Sequence, residues 1–417
     1  MSRMNPGTAR LLFAAMAYAY FLSTLIRAIT ATIAPNLVQE LELNARDLGL
    51  LAGGYFLGFA ITQLPMGSWL DRYGPKRVEL VFLSIAVLGC IAFSQSHSFV
   101  GLLVSRVVCG IGVSACLMAP LTGYRRWFSP DIQTRAGAWM LMVGSLGMVA
   151  ATLPVQWLLP ITGWRNIFLG LGVLVLTSMA LIGWLLPAWD STTVPHQGAD
   201  IKKQGLLARY QPVYTSRYFK RLVPLGFFAY GGLIAMQTLW AGPWMVRVAG
   251  YTPGEAAQGL FWINVAMLIA YWLWGAVSPW LARKSISPEQ VIAGVLPLSL
   301  TLLCVLAVGG GSLGKYTAVC WVLFSVSSTA VTQLLPVIGM AFRPEMAGRA
   351  MSAYNLVVFS GIFALQWGVG LAIDGLTALG LNVVQSYQGA LGIYAALSAA
   401  SYVFFMLYRT EVASSTS

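Results

Sequence analysis

The stretch APLTGYRRWFSPDIQTRAGAW (Ala119–Trp139) recurs later in altered form as LPVIGMAFRPEMAGRAMSAY (Leu335–Tyr354), with a Pro, a Phe, a second Pro and an Arg-Ala pair in the same order. Two shorter echoes accompany it. GSWLDR (Gly67–Arg72) returns as SPWLAR (Ser278–Arg283), and APNL from Ala34 returns as GPWM from Gly242. The second part of the chain is thus a diverged copy of the first, and whatever elements fill one copy should fill the other.

Those elements are apolar helices. Of the 417 residues 58% are hydrophobic and 9% charged, whereas a soluble chain carries about 25% charged residues. A spanning helix needs about 20 mostly apolar residues. Twelve such segments are expected, at 11–34, 48–70, 78–95, 99–123, 136–158, 166–188, 222–246, 258–281, 290–308, 316–340, 351–373 and 387–408. The first is not followed by a small-residue cleavage site, so it is read as a retained helix. The expected architecture is an all-α integral membrane protein with twelve transmembrane helices in two six-helix repeats. Residues 1–190 form the first half, 191–221 a cytoplasmic basic linker and 222–417 the second half. Parallel six-helix repeats place a substrate site near the midplane, between the halves.

Of the 25 basic residues, nineteen fall in one set of connections and four (Arg46, Arg165, Arg247, Lys315) in the other. Positive-inside logic then puts both termini and the linker in the cytoplasm of a multi-pass inner-membrane protein. The net charge of +12 reads as a topology signal with no nucleic-acid partner. The lipid bilayer is the expected surrounding, and a monomer the expected state. The five cysteines lie in apolar segments with no CxxC pair or His partner, so they read as packing residues, with no metal and no cofactor. No nucleophile–base pair or Walker loop stands at workable spacing, which argues against an enzyme.

GSWLDRYGPKR (Gly67–Arg77) resembles the loop-2/3 signature of the major facilitator superfamily, and SRVVCGIGVSACLMAP (Ser105–Pro120) resembles that superfamily's fourth-helix pattern. The resemblance implies alternating access by rocking of two halves. It also implies that Gly67, Asp71, Arg72, Gly74 and Arg77 are conformational parts that clamp cytoplasmic helix ends in the outward-open state. The second-half counterpart of Asp71 is Ala282, which implies a weaker clamp there. The glycine-rich fifth-helix signature of drug–proton antiporters is replaced here by GSLGMVAATLPVQWLLP (Gly144–Pro160).

The two basic residues outside the connections are Arg27 and Arg106. Arg27 stands eight residues before Pro35, about 12 Å below the outer end of its helix, and Arg106 about 10 Å deep from the same side. An arginine near the bilayer centre costs at least about 2.5 kcal/mol and should face a watery cavity or a partner. Tyr20, Thr24 and Thr30 share the Arg27 face at helical spacing. All thirteen acids fall in connections or at helix ends. The counter-ion is therefore expected from outside, as a small anionic substrate held bidentately. For Arg106 a structural role, bonded to helix carbonyls, stands beside the ligand reading.

An Arg eight residues before a first-helix Pro also resembles the organophosphate:phosphate antiporters and the related anion:cation symporters, which implies that Arg27 binds substrate anion. Phosphate exchangers of that type carry a second Arg in the seventh helix, where this chain has Ala235. A substrate with one anionic end, a carboxylate above all, and a neutral remainder fits better. Gln237, Trp240, Tyr271, Gln333, Asn355 and Gln366 are the second-half candidates for that remainder. Symport, exchange and uniport stay open, with Asp374 the one acid marked as a proton site. An exporter of lipophilic compounds and a non-transporting membrane sensor are the alternatives. The first leaves two deep arginines unexplained, and the second lacks a signalling domain.

Overall fold

The computed structural model describes residues 6–128, 130–187 and 206–408. Residues 191–205 of the expected linker and the tail from 409 lie outside the described residues. Among the described residues every regular element is helical, and the helices make twelve passes.

The first pass is Pro6–Leu41. The second and third are the two arms of Ala45–Gln95, bent at Gly74. Phe99–Val113 and Met118–Trp127 make the fourth, and Pro130–Ala150 begins the fifth, which resumes at Leu153 and turns at Gly163 into a sixth ending at Leu185. The seventh runs from Arg217 to Arg247 and the eighth is Pro253–Arg283. Pro288–Gly309 is the ninth, Thr317–Ser328 with Leu334–Ala341 the tenth, Pro344–Ala378 the eleventh and Val383–Leu407 the twelfth. We call the side carrying Pro6 and Leu407 the terminal face and the opposite side the far face.

Local chemistry sets these boundaries. Side chains of Asn44, Ser98, Thr252, Ser287 and Asn382 accept backbone N–H groups in the first turns of the helices they precede, satisfying donors that have no partner inside the helix. The fourth and tenth passes loosen just before Pro120 and Pro336, and the fifth just before Pro154, because proline removes a helix donor. The seventh pass begins at Arg217, earlier than the expected 222, because Ser216 caps it through the Phe219 N–H. Before it, Leu206–Thr215 forms a short helix inside the expected linker, tied to the second pass by the Tyr210 hydroxyl donating to the Leu64 carbonyl at 3.3 Å.

The duplication is legible in the backbone. Gly74 and its counterpart Ser285 both have positive φ (77° and 57°), as do Glu42 and its counterpart Gly250 (51° and 74°). Left-handed conformations are costly for residues with a Cβ, so their recurrence at matched turns means that the fold, not the residue, dictates them. The first and seventh passes are repeat partners and the most buried, each 72% within its apolar window, against 28% for the eighth. They form the centre. Around the outside, exposed Ile61, Leu88, Val104, Trp157, Trp184 and Val308 belong to an apolar girdle that suits a bilayer. Cys90, Cys109 and Cys116 are buried as expected, whereas Cys304 is exposed.

Candidate functional site

Arg27 sits where the two halves meet. Its guanidinium lies over the Phe59 ring at 5.6 Å, and Phe59 stacks on Phe359 of the eleventh pass at 4.3 Å. Tyr20 and Tyr55 of the first half, and Tyr230 and Tyr271 of the second, all lie within electrostatic reach of that guanidinium. The side chain is half-buried, its Nε is buried without a hydrogen-bond partner, and among the described residues no carboxylate pairs with it. A cation held this way is surrounded by neutral hydroxyls and ring faces, which orient an anion without cancelling its charge.

Arg106 is different. It is wholly buried and donates through Nη1 to the Ile26 carbonyl at 3.0 Å, on the residue next to Arg27. Its guanidinium lies over the Tyr55 ring at 5.1 Å, and the Tyr55 hydroxyl donates to the Ser23 carbonyl at 3.2 Å. The two arginines thus stand at one depth with Tyr55 between them. Arg106 contacts the first helix's backbone, the bond expected of a structural arginine. Nε and Nη2 of Arg106 are buried without partners.

The other first-helix candidates divide. Tyr20 packs against Gly144, where an added Cβ would come within 2.3 Å of its ring, and Thr24 packs against Gly147 and back-bonds to Phe21. The close helix packing expected of Gly144 and Gly147 is therefore packing against this stripe. The Thr30 hydroxyl is buried without a partner.

In the second half, the Gln237 amide donates to Asn264 at 2.8 Å and contacts the Met148 sulfur across the halves at 3.4 Å, leaving its Oε1 buried and unpaired. The Gln366 side-chain amide donates to Thr238 at 2.9 Å, and the Gln366 backbone carbonyl accepts the Trp240 indole N–H at 3.1 Å. Both Trp240 and Gln366 press on Gly49 of the second pass, so they close the far face and stand apart from Arg27. Gln333 and Asn355 are half-buried. Tyr230 and Gln237 fall in the two wide turns of the seventh pass, 226–230 and 236–240, a distortion frequent at functional sites.

At the far face the halves are zipped together along the second and eleventh passes. Gly49 meets Gln366 and Gly370 meets Ala45, each where a Cβ would not fit, and Gly53 meets Phe363, where a Cβ would be tight. Above them Asp374 accepts the backbone N–H groups of Ala45 and Arg46 at 3.2 and 2.8 Å. Marked from sequence as a proton site, this acid caps the start of the second pass from the other half. At the terminal face, Gly67, Asp71, Arg72 and Arg77 are exposed, and Arg72 folds over Tyr73 at 5.1 Å. Asp71 feels the charge of Arg125, of its own half. Gly74 holds the bend that only glycine adopts without strain.

Sequence reasoning missed Tyr55 and Tyr230, because a tyrosine in an apolar run reads as packing. It also missed the burial of Glu79. Read as a helix-end acid, Glu79 is wholly buried with both carboxyl oxygens unpaired. Among the described residues no group of three His, Cys, Asp or Glu is placed to hold a metal.

The sequence model of the Major Facilitator Superfamily matches residues 16–364. A gallate transporter of Pseudomonas putida is 24% identical over 314 residues, covering 69% of this chain and 68% of that one. A probable L-galactonate transporter of Escherichia coli strain K12 is 22% identical over 316 residues, covering 73% and 65%. Among solved structures, a bacterial homolog to the human lysosomal transporter Spinster, inward-facing and unoccupied, superposes with a TM-score of 0.77 at 17% identity over 97% of each chain. That likeness is one of fold alone. The motifs, the twelve passes and the matched length agree, and the chain belongs to the Major Facilitator Superfamily, a family of membrane transporters and not of enzymes.

Proposed function

We propose that this chain is a secondary active transporter of small organic monoanions, hydroxylated carboxylates above all, with Arg27 as the anion anchor. The observation that supports the reading is a half-buried guanidinium at the junction of the halves with no acid among the described residues to neutralise it. A carboxylate would meet the guanidinium fork bidentately, and Tyr20, Tyr55, Tyr230 and Tyr271 would take the hydroxyls or ring of the remainder. Gallate and galactonate, named for two relatives, share that chemistry. Arg106 serves in this reading by fixing the first helix behind Arg27.

The substrate crosses by rocking of residues 1–190 against 222–417 about the site, with 191–221 as the connection. The far-face zipper is one gate. The motif around Asp71 is the other, engaged when the far face opens. Both termini lie in the cytoplasm of a bacterial inner membrane, from the asymmetry of basic residues, and the protein works as a monomer. Reconstituted protein should take up labelled gallate or galactonate, in competition with hydroxylated carboxylates and not with quaternary ammonium dyes. Uptake blocked by the dyes and indifferent to carboxylates would favour an exporter of lipophilic cations instead.

A further inference from the structure

We propose that Glu79 is the proton-carrying residue of this transporter, buried in the first half and linked electrostatically to the anion at Arg27. The inference rests on the anion reading above and adds its coupling ion. Glu79 lies five residues beyond the Gly74 bend, and neither of its buried carboxyl oxygens has a hydrogen-bond partner. A fully desolvated, unpaired carboxylate is among the costliest groups a protein can hold, so this pocket accommodates the neutral acid. The Tyr124 hydroxyl of the fourth pass is buried and unpaired as well, and close enough to feel charge on Glu79.

The titratable neighbours belong to the same half. Cys116 of the fourth pass feels the charges of both Glu79 and Arg27, and Tyr20 of the first pass feels Cys116 and Arg27. On Glu79's own helix, Lys76 reaches away to the Leu186 carbonyl at 2.7 Å and Arg77 is exposed. Asp71 and Arg125 stand at the exposed terminal face. The facing sixth pass presents the Ser178 hydroxyl, buried and unpaired, and no charge among its described residues nearer than Arg165 at the far end.

A negative Glu79 would repel an anion on Arg27, and protonation removes that repulsion. Proton and anion therefore favour each other's binding, reciprocally. One proton added to the Glu79 carboxylate and one monoanion at Arg27 leave the loaded half with its original charge. The pair is released together to the less acidic side, where Glu79 returns its proton to water.

The test uses the full chain in lipid nanodiscs and proteoliposomes, with gallate and galactonate as probes. For the parent, anion affinity should fall at least about fivefold from mildly acid to mildly alkaline buffer. E79Q, and E79M as a second variant of similar volume, should lose that dependence. The ratio of gradient-driven accumulation to anion exchange should fall at least about tenfold in both. Accumulation at the parental ratio, or an unchanged pH dependence of affinity, would overturn the proposal and leave the anion reading standing. If the parent binds neither probe, the anion reading fails, and infrared difference spectroscopy of substrate-free protein still decides on Glu79. A protonated-carboxyl band that comes and goes with pH and is missing from the variants supports the proposal. A band absent from the parent, or fixed at all pH, refutes it.

Discussion

Replacing Asp374 by alanine should open the far face. Ala45 and Arg46 begin the second pass, so their N–H groups have no partner inside the helix, and Asp374 accepts both across the halves at 3.2 and 2.8 Å. A hydrogen bond to a charged group contributes about 1.5–3 kcal/mol when buried, but Asp374 is partly exposed and water takes its place once the halves part. An exposed acid at a helix N-terminus contributes about 0.3–1 kcal/mol. Two bonds, each discounted to that lower range, give about 0.6–2 kcal/mol, a factor of about 3–30 in the ratio of open to closed far face. Spin labels at Gln95 and Lys315, exposed on opposite halves, would report it as a distance distribution, in a background with Cys304 and Cys320 replaced by serine. Asp374→Asn keeps one acceptor oxygen and should fall between. An Asp374→Ala distribution identical to the parent's would refute the latch.

Asp71→Asn should slow transport while leaving equilibrium substrate binding within a few-fold, since it biases a conformational equilibrium without touching substrate. Equal losses in both assays would place Asp71 in the binding site. Gly74→Ala forces a Cβ into a backbone with φ of 77° and should lower thermal stability by about 1–2 kcal/mol, while Ser285→Gly, relieving the matched turn, should raise it. Gly49→Val puts a Cβ about where the Gln366 carbonyl oxygen stands, 2.2 Å away. It should hold the far face apart in the same spin-label measurement and slow transport, with expression retained.

Much of this architecture is written locally in the chain. The repeat of GSWLDR as SPWLAR foretold a shared turn, and Gly74 and Ser285 do share it although only one is glycine. Arg27 was legible because a charge in an apolar run must be explained wherever the run folds. What could not be read is set by neighbours distant in sequence. Tyr55 and Tyr230 look like any aromatic in a membrane helix until Arg27 is placed beside them. Glu79 follows a basic turn and looks solvated; the tertiary structure buries it completely. Asp374 looks like a lone outer acid until the start of the second pass supplies its donors.

The central claim is that Arg27 holds the substrate's anionic end. The direct measurement is the affinity of Arg27→Ala and Arg27→Lys for gallate and galactonate beside their melting temperatures, with Arg106→Ala as the structural control. Arg27→Ala should stay folded, having no acid partner among the described residues to desert, and lose on the order of 2–5 kcal/mol of binding, the cost of removing one partner of a desolvated charge pair. Arg27→Lys should lose less and still fall short of the parent, since an ammonium cannot reproduce the fork. Arg106→Ala should lower the melting temperature, because it removes the bond to the Ile26 carbonyl. Parental affinity in Arg27→Ala, in a protein that binds either anion, would contradict the account.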